Sequence, residues 1–204
     1  MALISTSEAK QMIPALSSGS TEDTLLTSLI SAVGAAMAAW CGYPSASAGA
    51  APTMESATYT RYQDGPGERL LVLDVWPVTS ITSIYDSQDR SYRASDQVAS
   101  GDFTLVEGER GLVELDWDAS HGSWSTARRA IKSTYVAGWA TVPENLKQAA
   151  RIAVRALYDK RQTLSFTSQS VGGASVGLVT PADLPAETKQ LLAPYRLPRA
   201  LVPV

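Results

Sequence analysis

The stretch from Tyr135 to Arg161 reads YVAGWATVPENLKQAARIAVRALYDKR. It constrains the fold more than any other segment, because the hydrophobic period changes within it. Just upstream and into it, Ile131, Ser133 and Tyr135 fall on alternate positions, the period of a strand with one buried face. Gly138 breaks that run. Pro143 then takes the first helical position with Glu144 behind it, a standard helix start. Leu146, Ala149, Ala150, Ala153 and Leu157 follow at helical spacing. A chain that holds both periods side by side must build a sheet and a helical layer around its apolar residues.

The flanking sequence supplies the other elements. Ser5 followed by Glu8 is a capping-box pattern and predicts a short helix to about Met12, ahead of Pro14. Ser17 to Ser20 make a polar turn, and Ser20 with Asp23 caps a longer helix from about Thr21 to Trp40. Glu22 and Asp23 suit the positive end of its dipole, and Gly42 and Pro44 stop it. Within it, Leu25 to Cys41 is 17 residues without a charge, at the bottom of the length range for a membrane span. Thr27, Ser28 and Ser31 dilute it and no basic cluster flanks it, so a buried helix is expected and no membrane. Gly34 and Ala38, four apart, admit a close neighbour from the same chain or from another copy.

Residues 45–53 form a small-residue linker. From 54 to 136 the texture is that of strands and turns: ATYTRYQ, RLLVLDV, DFTLVE, GLVELDW and RRAIKSTYV, separated by Gly-rich turns. Alternation along these runs predicts a half-buried antiparallel sheet, and the short turns favour a meander. Val78, Ile81 and Ile84 repeat every third residue, so a strand there requires a bulge. After the helix near 143–161, Ser165 to Val179 is rich in Ser and Gly, Leu184 to Leu192 suits a short helix, and the rest is a Pro-punctuated tail. The expected fold class is α+β. A helical core from 1–44 and 143–162 brackets an antiparallel β region at 54–136, and 163–204 forms an extended loop and C-terminal tail.

Composition narrows the function. With 204 residues, 45% of them hydrophobic, the chain can bury a real core. A net charge of −3 and a pI near 5.2 exclude a globally basic nucleic-acid footprint, though not a local basic face. The single cysteine, Cys41, rules out an intrachain disulfide and a cysteine-based zinc site. No basic segment followed by an apolar one opens the chain, so no secretory signal and a reducing cytoplasm are expected.

Catalytic motifs fail their context tests. Gly173-Ala174-Ser175-Val176-Gly177 matches the nucleophile elbow G-x-S-x-G, but the elbow needs a helix immediately after it and a histidine downstream. Leu178-Val179-Thr180-Pro181 is a poor helix start, and the lone histidine, His121, precedes Ser175. Glu114, Asp116 and Asp118 resemble the start of a calcium loop, but neither register supplies the required glycine and glutamate. They read instead as the solvent face of a strand whose other face is Val113, Leu115 and Trp117. No phosphate-binding loop occurs. Neither an enzyme nor a cofactor nor a metal is expected. One surface pattern stands out: Lys147, Arg151 and Arg155 recur every fourth residue on one side of a helix, with Lys160 and Arg161 beyond. An ordinary solvated face explains such a stripe, as does a patch for an acidic partner or passing nucleic-acid phosphate.

Several features in order carry a family resemblance. Two N-terminal helices end in Trp40-Cys41-Gly42-Tyr43. Arg61-Tyr62-Gln63-Asp64-Gly65 leads into Leu70-Leu71-Val72-Leu73 and then Trp76-Pro77-Val78-Thr79-Ser80-Ile81. Tyr135-Val136-Ala137-Gly138-Trp139 is followed by Val142-Pro143-Glu144-Asn145-Leu146-Lys147-Gln148-Ala149, and Ser168–Gly173 and Pro194-Tyr195-Arg196 come late. Across most of its length the chain resembles the head–tail connector (adaptor, or head-completion) proteins of long-tailed bacteriophages. The resemblance implies a non-enzymatic virion protein, assembled in the host cytoplasm. It implies a homo-oligomeric ring, usually of twelve copies, at the head–tail interface. The ring would sit beneath the portal protein, extend the channel through which DNA passes without sequence specificity, and dock the next neck or tail protein. On that basis Lys147, Arg151, Arg155, Tyr195 and Arg196 are candidates for a partner or channel surface. The β region exceeds that of the smallest family members, which leaves its role open. The alternatives are another neck component, such as a stopper or tail-completion protein, and, remotely, a small serine hydrolase.

Overall fold

The computed structural model describes residues 3–13, 23–160, 168–171, 174–177 and 184–197. The chain divides into two compact units: Met1–Gly42 with Thr141–Arg196, and Tyr43–Ala140 with Leu197–Val204. Helices and antiparallel strands coexist, as an α+β fold requires.

The first unit is helical. Helix α1 (Thr6–Gln11) begins with the reciprocal capping box: the Glu8 amide donates to Ser5 Oγ at 3.2 Å, and the Ser5 amide donates to the Glu8 carboxylate at 2.7 Å. Helix α2 (Asp23–Cys41) buries Leu26, Ile30, Val33, Met37 and Cys41, spaced by three and four residues. It is long and apolar enough to cross a membrane, and in this fold that stripe is buried within its own unit. A side chain on Gly34 would meet Leu3 at 3.6 Å, so the close neighbour of this position is the chain's own N-terminal segment. Helix α3 (Glu144–Lys160) buries Leu146, Ala149, Ala150, Ala153, Val154 and Tyr158.

Part of the segment read as an extended loop and tail is ordered. Strands β7 (Ser168–Val171) and β8 (Ala174–Gly177) form an antiparallel hairpin, as numbered in the full strand order. Helix α4 (Ala186–Leu192) lies on α3, with Thr188 Oγ1 donating to the Ala149 carbonyl at 3.4 Å. The Cys41 thiol, 1% exposed, points at the Leu192 carbonyl at 3.9 Å, and burial pushes its pKa up to about 12. The expected turn at Ser17–Ser20 lies outside the described residues.

The second unit holds two three-stranded antiparallel sheets. Strands β1 (Ala57–Gln63), β6 (Ile131–Ala137) and β3 (Val78–Asp86) form one, with β6 in the middle; β2 (Leu70–Val72), β5 (Leu112–Leu115) and β4 (Phe103–Glu107) form the other, with β5 in the middle. This corrects the expected meander. The last strand of the region pairs with the first, because β6 buries Ile131, Ser133, Tyr135 and Ala137 on one face and needs a neighbour on each edge. Strand β3 contains the predicted irregularity twice, between Val78 and Ser80 and between Ile81 and Ser83. Each extra residue resets the alternation, which lets an apolar repeat of three put Val78 and Ile84 in the core.

Large aromatic side chains fill this core. Tyr59 and Tyr135 are directly opposite across β1 and β6, with ring centroids 6.3 Å apart. Tyr59 Oη donates to the Thr53 carbonyl at 3.1 Å, and Tyr135 Oη accepts from the Val75 amide at 3.2 Å. Trp124 is 1% exposed and its indole N–H donates to the Arg69 carbonyl at 3.0 Å. Gly138 is no loose link: its φ is +101°, and a Cβ there would lie 2.4 Å from the Glu55 carbonyl oxygen. Only glycine fits such a conformation and approach. Its amide donates to the Pro77 carbonyl at 2.8 Å and the next amide, Trp139, to Met54 at 2.9 Å.

Candidate interaction surface

Three groups of side chains can meet a partner. The first is the basic stripe of α3. Lys147, Arg151 and Arg155 share one helix face, but they differ in what surrounds them. Arg151 is 17% exposed and donates to Glu144 at 2.6 Å and to Glu8 of α1 at 3.0 Å. Lys147 lies 3.9 Å from Glu8 and 4.0 Å from Glu144. Glu8 is the centre of this network: hydrogen bonds from Ser5, then from Arg151, hold its carboxyl below the ordinary value of 4.5. Two of the three cations thus tie α1 to α3. Arg155, 54% exposed, is 3.6 Å from Asp159 one turn on, and it offers the outermost charge. Near the C-terminus, Tyr195 ends a 3-10 turn (Ala193–Tyr195), and Arg196 lays its guanidinium 4.8 Å from the Trp40 ring centre. Arg161 lies outside the described residues.

The second group lies on the outer face of the β1-β6-β3 sheet, and sequence reasoning missed it. Lys132 on β6 is directly opposite Tyr62 on β1 and Tyr85 on β3. Its ammonium is 5.2 Å from the Tyr85 ring centre and 5.7 Å from that of Tyr92. Tyr92 meets Tyr62 edge-on at 5.2 Å, and the Arg129 guanidinium is 5.5 Å from the Tyr62 ring. Tyr92 Oη donates to the Arg129 carbonyl at 2.5 Å, and the Arg129 amide donates to Asp64 at 2.7 Å. Among the described residues neither Arg129 nor Lys132 makes an ion pair. The signal was present in the alternation of 128–136: once Ile131 and Ser133 point inward, Lys132 must point outward.

The third group is the outer face of the β2-β5-β4 sheet. Leu70, Val72 and Val106 are 40%, 49% and 57% exposed. Trp117, expected in the core with Val113 and Leu115, is 88% exposed. Strand β5 ends at Leu115, and the chain turns at Asp116, so the alternation does not continue to Trp117. The Arg69 guanidinium covers one side of its indole at 4.4 Å and bonds the Leu115 carbonyl. Glu114 is directly opposite Leu70 on β2 and Thr104 on β4, and Thr104 Oγ1 donates to Asp116 at 3.1 Å.

Ser175 and His121, the two residues considered for catalysis, belong to different units. Ser175 lies inside strand β8, paired across the hairpin with Ser170, and not at a strand-to-helix turn. His121 lines a cavity of about 590 Å³ with Asp86, Asp89 and Asp96. Those carboxylates close turns. Asp89 accepts from Ser87 and Ser91, which with the Ser91 amide hold it at about 2, and Asp96 accepts from the Arg93 amide at 2.9 Å. Asp86 accepts from the Ser125 amide at 2.9 Å.

A sequence profile described as head completion protein matches residues 2–197. The chain belongs to the head completion protein family. Its role is therefore structural, at the neck of the virion. In solved structures it is similar to a chain from the neck of an empty GTA (gene transfer agent) particle computed with C6 symmetry, at a TM-score of 0.57 and 18% identity. The likeness covers 100% of this chain and 96% of that one, and at this identity it is a likeness of fold. No curated protein matches the chain. The three groups above are surfaces that the described residues of this head completion protein present.

Proposed function

We propose that this head completion protein assembles into a homo-oligomeric ring at the head–tail interface, beneath the portal protein. The ring extends the DNA channel and docks the next neck or tail protein. One observation carries the reading: the family match runs from residue 2 to residue 197, so it takes in both units. The fold likeness to a neck computed with C6 symmetry fits a ring whose copy number is a multiple of six, twelve included. Heterologous contacts of this kind close into rings rather than dimers. The protein acts without catalysis and contacts DNA without reading its sequence, and it is made in the host cytoplasm before it joins the particle.

Within the basic stripe Arg155 is the most exposed cation, 54% against 31% for Lys147 and 17% for Arg151, and it pairs with Asp159 at 3.6 Å. Lys147 and Arg151 face Glu8 and Glu144 first, and Arg196 is stacked on Trp40. Imaging of purified particle necks with the chain located tests the reading. The expected result is a closed ring between portal and tail, and heads that fail to retain DNA or join tails when the chain is missing. Density for the chain only on the tail side would favour a stopper or tail-completion role. The purified chain alone is expected to be a monomer that joins a ring on the portal, which sedimentation with and without portal rings measures.

A further inference from the structure

The β unit carries two outer sheet faces of opposite character. On the β1-β6-β3 sheet, Arg129 and Lys132 keep their charge among three tyrosine rings, and no carboxylate side chain pairs with either among the described residues. On the β2-β5-β4 sheet Leu70, Val72 and Val106 are exposed, Glu114 is directly opposite Leu70, Asp116 accepts from Thr104, and the next residue is the 88% exposed Trp117. An exposed apolar patch rimmed by polar residues marks an interaction site. Tyr, Trp and Arg are also the residue types that dominate interface energies. One face supplies cations and aromatic rings, the other supplies carboxylates and an aromatic anchor, and both belong to the same chain. Such a pair suits a head-to-tail contact, in which one patch on each copy meets a different patch on the next.

We propose that the β unit contributes a copy-to-copy interface, in which the Tyr62–Arg129–Lys132 face of one copy receives the Trp117–Glu114–Asp116 face of a second copy of this chain. The proposal rests on the ring reading above and gives the β region its place in it. The basic face suits a protein partner better than nucleic acid. Its cations already cover the tyrosine rings that would stack on bases, and the complementary acidic face is present on the molecule itself.

Charge swapping tests it. Particles are assembled with the wild-type chain, with Arg129→Glu/Lys132→Glu, with Glu114→Lys/Asp116→Lys, or with all four changes together, and the chain is quantified in purified particles. Thermal unfolding of each purified chain verifies folding. Each two-residue variant is expected to lower incorporation by about tenfold, as loss of a central charged contact does. The four-change chain, whose faces are complementary again, is expected to recover most of it. A further change, Trp117→Ala, is expected to lower incorporation by about tenfold with unfolding unaltered. Normal incorporation of either two-residue variant, or no recovery in the four-change chain, overturns the proposal. So does a basic-face variant that incorporates normally but loses packaged DNA, which would assign that face to nucleic acid. A wild-type chain that forms no ring in the particle overturns the ring reading itself, and is distinguished from the other failures by the wild-type arm alone.

Discussion

The helical unit and the β unit solve the same packing problem with opposite materials. Where α3 meets its neighbours the core includes three small side chains, Ala149, Ala150 and Ala153, all at most 1% exposed, beside Leu146 and Val154. The largest fully buried side chains of the β unit are Trp124, Tyr59 and Tyr135. Alanine brings helix backbones close together and leaves no slack, whereas an aromatic side chain spans the wider gap between sheets. The helical unit should therefore be sensitive to added volume and the β unit to lost volume.

The largest expected effect breaks the β side. Trp124→Ala removes a buried indole and its bond to Arg69, and should cost about 3–5 kcal/mol, read as lost hydrogen-exchange protection in residues 57–137. Ala153→Leu tests the helical side by overpacking and should cost about 1–3 kcal/mol, with the loss confined to α2 and α3. A neutral Ala153→Leu would mean that the helices leave room for added volume at this position.

Acid separates the units as well. The Glu8 carboxyl has a depressed pKa in the folded state. Its contribution is present above 4.5, the ordinary value, and is lost as pH falls through the lower folded value. Glu8→Gln should remove about 1 kcal/mol or less at neutral pH and flatten the acid limb of the helical unit's stability curve. In the β unit, Asp89 is held at about 2 by Ser91 and Ser87, so its turn keeps its hydrogen bonds to lower pH. An NMR pH titration that finds Glu8 at the ordinary value would remove this contrast. The smallest effect is expected for Trp117→Ala, within about 0.5 kcal/mol of wild type by denaturant unfolding, because the side chain is almost fully exposed.

Local signals made much of the fold legible. The Ser5–Glu8 box, Gly42 after α2 and Pro143 before α3 each act within a few residues, and the elements begin and end beside them. The triplet of Val78, Ile81 and Ile84 even announced its bulges. Strand order was not legible, because the contact between β1 and β6 joins residues some seventy positions apart and depends on which face each strand buries. The same limit applied to the surfaces. Lys147 and Arg151 formed a clear stripe, but their partner Glu8 comes from the other end of the chain. Trp117 fitted an alternation that the turn at Asp116 cuts short, and the Lys132 row required knowing that Tyr62 and Tyr85 flank the same position.

Cys41 is the chain's single thiol, and it is sealed against Leu192 with its proton held to about 12. The thiolate is the reactive form, so maleimides and mild oxidants will pass it by. Any cysteine placed on an exposed position then becomes the lone addressable thiol of an otherwise unaltered protein. A dye can be installed at one chosen place per copy, and the number of dyes in a single particle neck, read by stepwise photobleaching, counts the copies.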